Sequence, residues 1–382
     1  MGKPITQARK EVLTMIDRAE NMIKIAPELL NDETVLIDKN NILKIAKEPI
    51  GVSLIISPWN YPLLCCIGAI IPSIICGNSV LLKHSPRTPL VGKYFEEAFN
   101  SVGALNVVQN LFLQNASVRE LYKHQNINYV GFTGSVEGGK AVQLDIAKSE
   151  RFLHTNFELG GKDAAYVCED ADIDFAVDNI VDGAMYNAGQ SCCAIERVYV
   201  HASKYDEFIE KAAALISSYK MGDPMDEATT LGPLALPDST LFLKDQVDDA
   251  LSNGAEVVVG GSLCNDAAGK GRFFEPTLIK ECRNDMAIMT KESFGPLLPV
   301  CKVETDDEAI EMINNSEYGL TAAFYTKDYK KAEKMAKRVK YKIKNFYFLF
   351  FIFQIFLKNI YSQRFNLFCY LISKFFLDFN LF

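Results

Sequence analysis

Between residues 5 and 30 the apolar positions Ile5, Ala8, Val12, Met15, Ile16, Ala19, Met22 and Ile23 recur at helical spacing, with charged residues between them. This pattern predicts an amphipathic helix with one buried face. Residues 34–47 read as a β-hairpin that turns at Asp38-Lys39-Asn40-Asn41. Residues 50–57 are an almost continuous apolar run ended by Pro58. Such a run suits a strand buried on both faces, as in a parallel sheet. A buried helix is expected over 63–76, with Pro72 as a kink or break, and a short strand at Val80-Leu81-Leu82.

Strand and helix then alternate. A helix follows Pro89, a strand comes at 106–108, a helix near 117–124 and a strand at 127–133. A second set has strands at 164–168 and 197–200 and helices at 173–188 and 204–218. Residues 222–237, rich in Gly and Pro, read as loop. Helix 239–253, strand 256–259 and helix 306–314 complete the pattern. Repeated βαβ units imply an open parallel sheet with helices on both faces.

The pattern stops near residue 339. From Tyr341 to Phe382 there is no Gly, Pro, Ala, Val, Thr or Glu, and 12 of the 25 phenylalanines lie there. The apolar residues of this tail follow neither the helical nor the strand period. Its longest uncharged run, Asn345 to Leu357, is 13 residues, short of the ~20 a membrane span needs. Phe, Tyr, Ile, Leu, Asn and Lys are what AT-rich DNA encodes by default. The tail is therefore read as translated non-coding sequence such as a retained intron, with a membrane-associating tail as the alternative.

Composition narrows the function. The chain of 382 residues carries a net charge of −8, which disfavours nucleic acid as a main partner. The length suits two domains. The first residues have no apolar core of the signal-peptide kind. Met1-Gly2 with Thr6 formally fits an N-myristoylation pattern, and Pro4 weighs against it. The ten cysteines are expected to be reduced thiols in the cytoplasm. Their spacing gives no metal cluster.

Four stretches could carry chemistry. In Asn187-Ala188-Gly189-Gln190-Ser191-Cys192-Cys193 small residues flank a potential thiolate nucleophile. A cysteine in such company is more often a small buried hydrophobe. In Glu158-Leu159-Gly160-Gly161-Lys162 the glycines allow a tight turn that leaves a carboxylate available as a base. The bland reading is a loop residue. In Pro58-Trp59-Asn60-Tyr61-Pro62 two prolines fix an amide that could face a developing oxyanion. A rigid structural turn is the alternative. Gly131-Phe132-Thr133-Gly134-Ser135 leads from a strand into a helix, a setting that suits a phosphate. It is not the usual GxGxxG dinucleotide fingerprint.

In this order and spacing, together with Glu292-Ser293-Phe294-Gly295-Pro296, these stretches resemble the NAD(P)-dependent aldehyde dehydrogenase superfamily over residues 1 to about 338. The likeness is loosely nearest the succinate-semialdehyde and betaine-aldehyde branches. The resemblance implies an α/β fold with a Rossmann-type cofactor domain over 1–161 and an α/β catalytic domain over 162–338. It makes 34–47 an oligomerisation hairpin and leaves 339–382 as an aberrant tail. It also implies that Cys192 is the nucleophile, Cys193 a bystander, Asn60 the oxyanion donor and Glu158 the activator of water. Trp59, Lys83, Gly134, Ser135, Leu159, Gly160, Glu292 and Phe294 would bind the cofactor, and no metal is implied.

Further expectations follow from the resemblance. In NAD-preferring relatives an acid often sits three residues after the lysine. Pro86 stands there, so NADP is open beside a slight preference for NAD. The partner would be a small-molecule aldehyde, with a homo-oligomer as the family's usual assembly and no membrane span. The chain departs from the family at both ends, which suggests segments lost before Gly2-Lys3-Pro4 and after Val339. The alternative function is a catalytically inactive homologue that at most binds cofactor or partners. A thiol acceptor such as CoA in place of water is a third reading, against which Glu158 counts.

Overall fold

The computed structural model describes residues 1–265, 269, 271–340 and 343–347. The described residues divide into two compact units, Ala8–Leu159 and a second formed by Met1–Gln7 with those from Gly160 onward.

The first unit carries helix α1 (Ile5–Leu29) from Ala8 onward. A hairpin of β1 (Glu33–Ile37) and β2 (Ile42–Ile45) follows. The strands are antiparallel, and the Asp38 carboxylate accepts the Asn40 and Asn41 N–H groups at 2.8 Å. That Asx turn is the one the sequence pattern predicts. Next come β3 (Val52–Ser57), α2 (Leu64–Ile75), β4 (Ser79–His84), α3 (Pro89–Ser101) and β5 (Val108–Asn110). Then follow α4 (Asn115–Val118), β6 (Ile127–Thr133), α5 (Val136–Ala147) and β7 (His154–Glu158).

Strands β3 to β7 form one five-stranded sheet in the order β5-β4-β3-β6-β7. Every pairing is parallel. The apolar run of β3 is explained by its central place. Ile55 joins the core under α1, α2 and α3, with Val12, Ile67, Phe95 and Phe99. Leu54 and Ile56 join the opposite core with Tyr122, Val130 and Ile146. Burying both faces supplies the main favourable free energy of the unit.

Two expectations change here. The helix near 117–124 is only the single turn α4 and a separate 3₁₀ turn at Leu121–Lys123. Only Val118 and Tyr122 are buried there, too little packing to propagate a helix. Strand β7 has no counterpart in the sequence pattern, because an edge strand with its first three residues exposed shows no clear apolar alternation. Pro72 lies inside α2 without ending it.

The second unit contains β8 (Asp163–Val167), α6 (Ile173–Met185), β9 (Ile195–His201), α7 (Ala202–Ser217) and α8 (Ser239–Ser252). After it come β10 (Glu256–Val259), β11 (Leu263–Cys264), β12 (Phe273–Phe274), β13 (Thr277–Lys280) and α9 (Ala287–Thr290). The last elements are β14 (Leu297–Val303), α10 (Asp306–Asn314), β15 (Thr321–Tyr325), α11 (Tyr329–Arg338) and β16 (Ile343–Tyr347).

Seven strands form a sheet ordered β10-β13-β14-β9-β8-β15-β16. Only the β10–β13 pairing is antiparallel. Tyr166, Tyr199, Cys301 and Phe324 face a core with α8, α10 and α11. Their neighbours Ala165, Val198, Val300 and Ala323 face α6 and α7. Strand β14 carries Pro299 between two partners, which hides it from a pattern search. Strand β16 falls inside the phenylalanine-rich tail, so the first part of that segment adds an edge strand to β15. Residues 341–342 and 348–382 of the tail lie outside the described residues.

Candidate active site

In the first unit the parallel pairing brings the carboxyl ends of β3, β4, β6 and β7 to one edge of the sheet. The chain order turns back between β3 and β6, a switch point of the kind where open α/β sheets bind ligands. The Trp59-Asn60 turn leaves β3 there, and Gly134-Ser135 leaves β6.

The Trp59-Asn60 turn is held from two sides. The Glu11 carboxylate accepts the N–H groups of Leu63 at 2.9 Å and Leu64 at 3.1 Å. These are donors at the start of α2 that the helix itself cannot satisfy. The His84 Nε2 meets the Pro62 carbonyl at 3.1 Å and its Nδ1 meets the Thr88 hydroxyl at 3.0 Å. A carbonyl only accepts, so Nε2 carries the proton and Nδ1 accepts from Thr88. Burial pushes the His84 pKa below the ordinary histidine range. Asn60 itself is buried.

Lys83 Nζ donates to the side-chain amide oxygen Oδ1 of Asn115. Burial pulls its pKa below the ordinary lysine range. Ser135 is the N-cap of α5, its hydroxyl accepting the Gly138 N–H at 3.1 Å. The Gly134 N–H donates to the Glu158 carbonyl at 3.0 Å, which ties the end of β7 to the turn after β6. Glu158 and Leu159 are half-buried. A buried lysine and an N-capped helix start at one sheet edge fit a dinucleotide. Glu11, His84 and Asn115 are supporting residues that sequence reasoning did not find. They lie far from the motifs along the chain and carry no local signature.

In the second unit the loops entering β8, β9 and β14 meet at the amino edge of the sheet. Helix α6 ends at Met185, three residues before the expected limit, and the chain turns through Asn187, Ala188 and Gly189 with φ of 55°, 54° and 69°. Two consecutive non-glycine residues in the left-handed region store strain. The turn is fixed by Gln190, whose Nε2 donates to the Asn187 carbonyl at 3.0 Å and whose Oε1 accepts the Ala235 N–H at 2.8 Å. The Asn187 N–H donates to Gln7 Oε1 at 2.9 Å. Cys192 follows, half-buried, whereas Cys193 is exposed beside the Ser191 hydroxyl.

Gly160 and Gly161 both lie in close quarters. A Cβ on Gly161 would strike the Cys192 carbonyl oxygen, and one on Gly160 would strike the Glu292 carboxylate. The Gly161 N–H donates to Glu292 Oε1 at 2.9 Å. The structure thus brings together Cys192, Gly160 and Glu292.

Phe294 lies on the same loop as Glu292, with φ of 51°. The loop is anchored by Glu196. That carboxylate accepts the Ser293 N–H at 2.7 Å and the Phe294 N–H at 2.9 Å. It also pairs with Lys162 Nζ at 2.7 Å, and both side chains are almost fully buried. Lys162 donates further to the Ser293 hydroxyl at 2.9 Å. Burial lowers the Lys162 pKa, and Glu196 opposes that shift. Beside them Asp163 accepts the Thr321 N–H at 2.9 Å, and burial pushes its pKa up to about 8.

The nine described cysteines are all free thiols. Among the described residues no helix is long and apolar enough to cross a membrane.

Comparison with known proteins gives this geometry a family. The aldehyde dehydrogenase family model matches residues 1–343. Human retinaldehyde dehydrogenase 3 is 35% identical over 81% of this chain, and this chain spans 60% of that relative's length. Succinate semialdehyde dehydrogenase [NAD(P)+] Sad of Escherichia coli is 34% identical over 89% of the chain and 72% of its own. A succinic semialdehyde dehydrogenase structure from Streptococcus pyogenes, in complex with NADP+ as the cofactor, superposes with a TM-score of 0.84 at 32% identity. It covers 90% of this chain and 74% of that one. Near-equal identities to relatives of different substrate name do not single out one branch. The chain spans about three fifths of the length of the first curated relatives it matches. With the motif residues, both sheets and the family model in agreement, the chain belongs to the aldehyde dehydrogenase family.

Proposed function

We propose that this protein oxidises a small-molecule aldehyde to the carboxylic acid with NAD or NADP. The Cys192 thiolate attacks the aldehyde carbon and forms a thiohemiacetal. The Asn60 amide and the Cys192 N–H donate to its oxyanion, a charge that exists only after attack. When bound, the nicotinamide supplies the hydride acceptor that no side chain can provide. The Cys192 thioester left behind is hydrolysed by a water whose proton Glu158 accepts. Lys83, Gly134 and Ser135 hold the nucleotide end. Glu292 and Phe294 would serve the nicotinamide ribose, and Trp59, Leu159 and Gly160 would also bind the cofactor.

The observation that supports this reading most is the hydrogen bond from Gly161 to Glu292 beside the Cys192 loop. It places the candidate cofactor residue Glu292 beside the glycine that lies against the Cys192 carbonyl oxygen, where a side chain would clash. The free thiols suit a cytoplasmic setting. We extend the reading to a homo-oligomer, supported by the exposed Val35, Ile37, Ile42 and Leu43 of the hairpin.

The test is to follow reduced cofactor with a panel of aldehydes and to compare kcat/KM for NAD and NADP. Pro86 offers no carboxylate to repel a 2′-phosphate, so turnover with both is expected. Cofactor binding without turnover for any aldehyde would favour the inactive-homologue reading, against which the presence of Cys192, Glu158 and Asn60 weighs.

A further inference from the structure

We propose that the buried Lys162–Glu196 pair is a positioning device for the cofactor residue Glu292; this rests on the role given to Glu292 above. Lys162 and Glu196 carry no role in the chemistry proposed above. Yet a buried ion pair is costly to assemble and is weak evidence for stability by itself. Its geometry here is specific. Both oxygens of Glu196 are committed to the backbone of the two residues after Glu292. Lys162 adds a bond to the Ser293 hydroxyl, which in turn donates to Gln246 Oε1 at 2.7 Å. Lys162 follows Gly161, whose N–H holds the Glu292 carboxylate from the other side.

The pair therefore fixes both ends of one bond. It sets the backbone that carries Glu292 and the residue next to Glu292's donor. Phe294 shows that the loop would not hold this shape unaided, since a phenylalanine at φ of 51° is in a disfavoured region. Arg197 braces the same point, its Nε donating to the Lys162 carbonyl at 3.0 Å. The arrangement is a set of backbone anchors around one carboxylate, which is what precise ligand placement needs.

The experiment compares Glu196→Gln, the double variant Lys162→Met/Glu196→Gln and Glu292→Gln in the full chain. Calorimetric titration with NAD+ and NADP+ gives affinity without turnover, and the rate of Cys192 alkylation reports the neighbouring loop. Glu196→Gln strands a buried ammonium and can fail to fold; the double variant removes both charges and avoids that. In the double variant, cofactor Kd and KM are expected to rise about tenfold or more. Its alkylation rate and cooperative unfolding are expected to stay close to those of the parent.

A double variant that binds cofactor like the parent overturns the proposal. So does one whose affinity, alkylation rate and thermal stability all fall together, because that marks a purely structural pair. If Glu292→Gln changes neither affinity nor turnover, the role of Glu292 itself fails. If Glu292→Gln weakens binding and the Glu196 variants do not, only the positioning proposal fails.

Discussion

The Nε2 of His84 donates to the carbonyl oxygen of Pro62 at 3.1 Å. His84 ends β4, one residue after the candidate cofactor residue Lys83, and Pro62 closes the turn that carries Asn60. The bond ties the two loops together inside one unit. His84→Ala should slow turnover roughly tenfold by loosening the Asn60 turn. His84→Gln, which keeps a donor, should recover part of the loss. Steady-state kinetics of both variants check this, with the effect expected in kcat rather than in cofactor KM.

Removing the Asn60 amide directly should cost more. Loss of one oxyanion donor typically costs ~2.7–4 kcal/mol of transition-state stabilisation. Asn60→Ala should therefore lower kcat by about a hundredfold or more. Equal kcat in parent and variant would remove Asn60 from the mechanism.

Asp163 gives a pH-dependent stability. Burial pushes its carboxyl up to about 8 in the folded chain, against an unfolded value of ~3.9. Between those values the folded chain keeps a proton that the unfolded chain has released. Stability from this group is present below about pH 4 and is lost as pH rises towards about 8. Asp163→Asn should remove that slope and be the more stable protein above about pH 8, by on the order of a few kcal/mol. Thermal unfolding of parent and variant across this range measures the difference directly.

Much of the fold is legible along the chain because burial on two faces leaves long apolar runs. Strand β3 and helix α6 are the clearest cases. Strands β7 and β14 escape for opposite reasons, one as an exposed edge and the other because Pro299 interrupts a buried run. Cys192, Glu158 and Asn60 are legible as candidates because each lies in a short motif of glycines, prolines or small residues that resembles the family's. The groups that support them are not, because Glu11 and Leu63 or Gly161 and Glu292 are far apart in sequence and meet only in the fold. The left-handed turn at Asn187 and Ala188 is likewise invisible, since nothing about an alanine announces a positive φ.

The neighbouring thiols offer a decisive comparison. Cys192 is half-buried beside Gly161, and Cys193 is exposed. Rapid mixing of the protein with NAD(P)+ and a small aldehyde, read as reduced cofactor absorbance and as the mass of the acylated chain, tests the nucleophile directly. The expected result is a burst and a single acyl adduct in the parent and in Cys193→Ala, with both absent in Cys192→Ala. A burst that survives in Cys192→Ala, or that is lost only in Cys193→Ala, would contradict the assignment of Cys192.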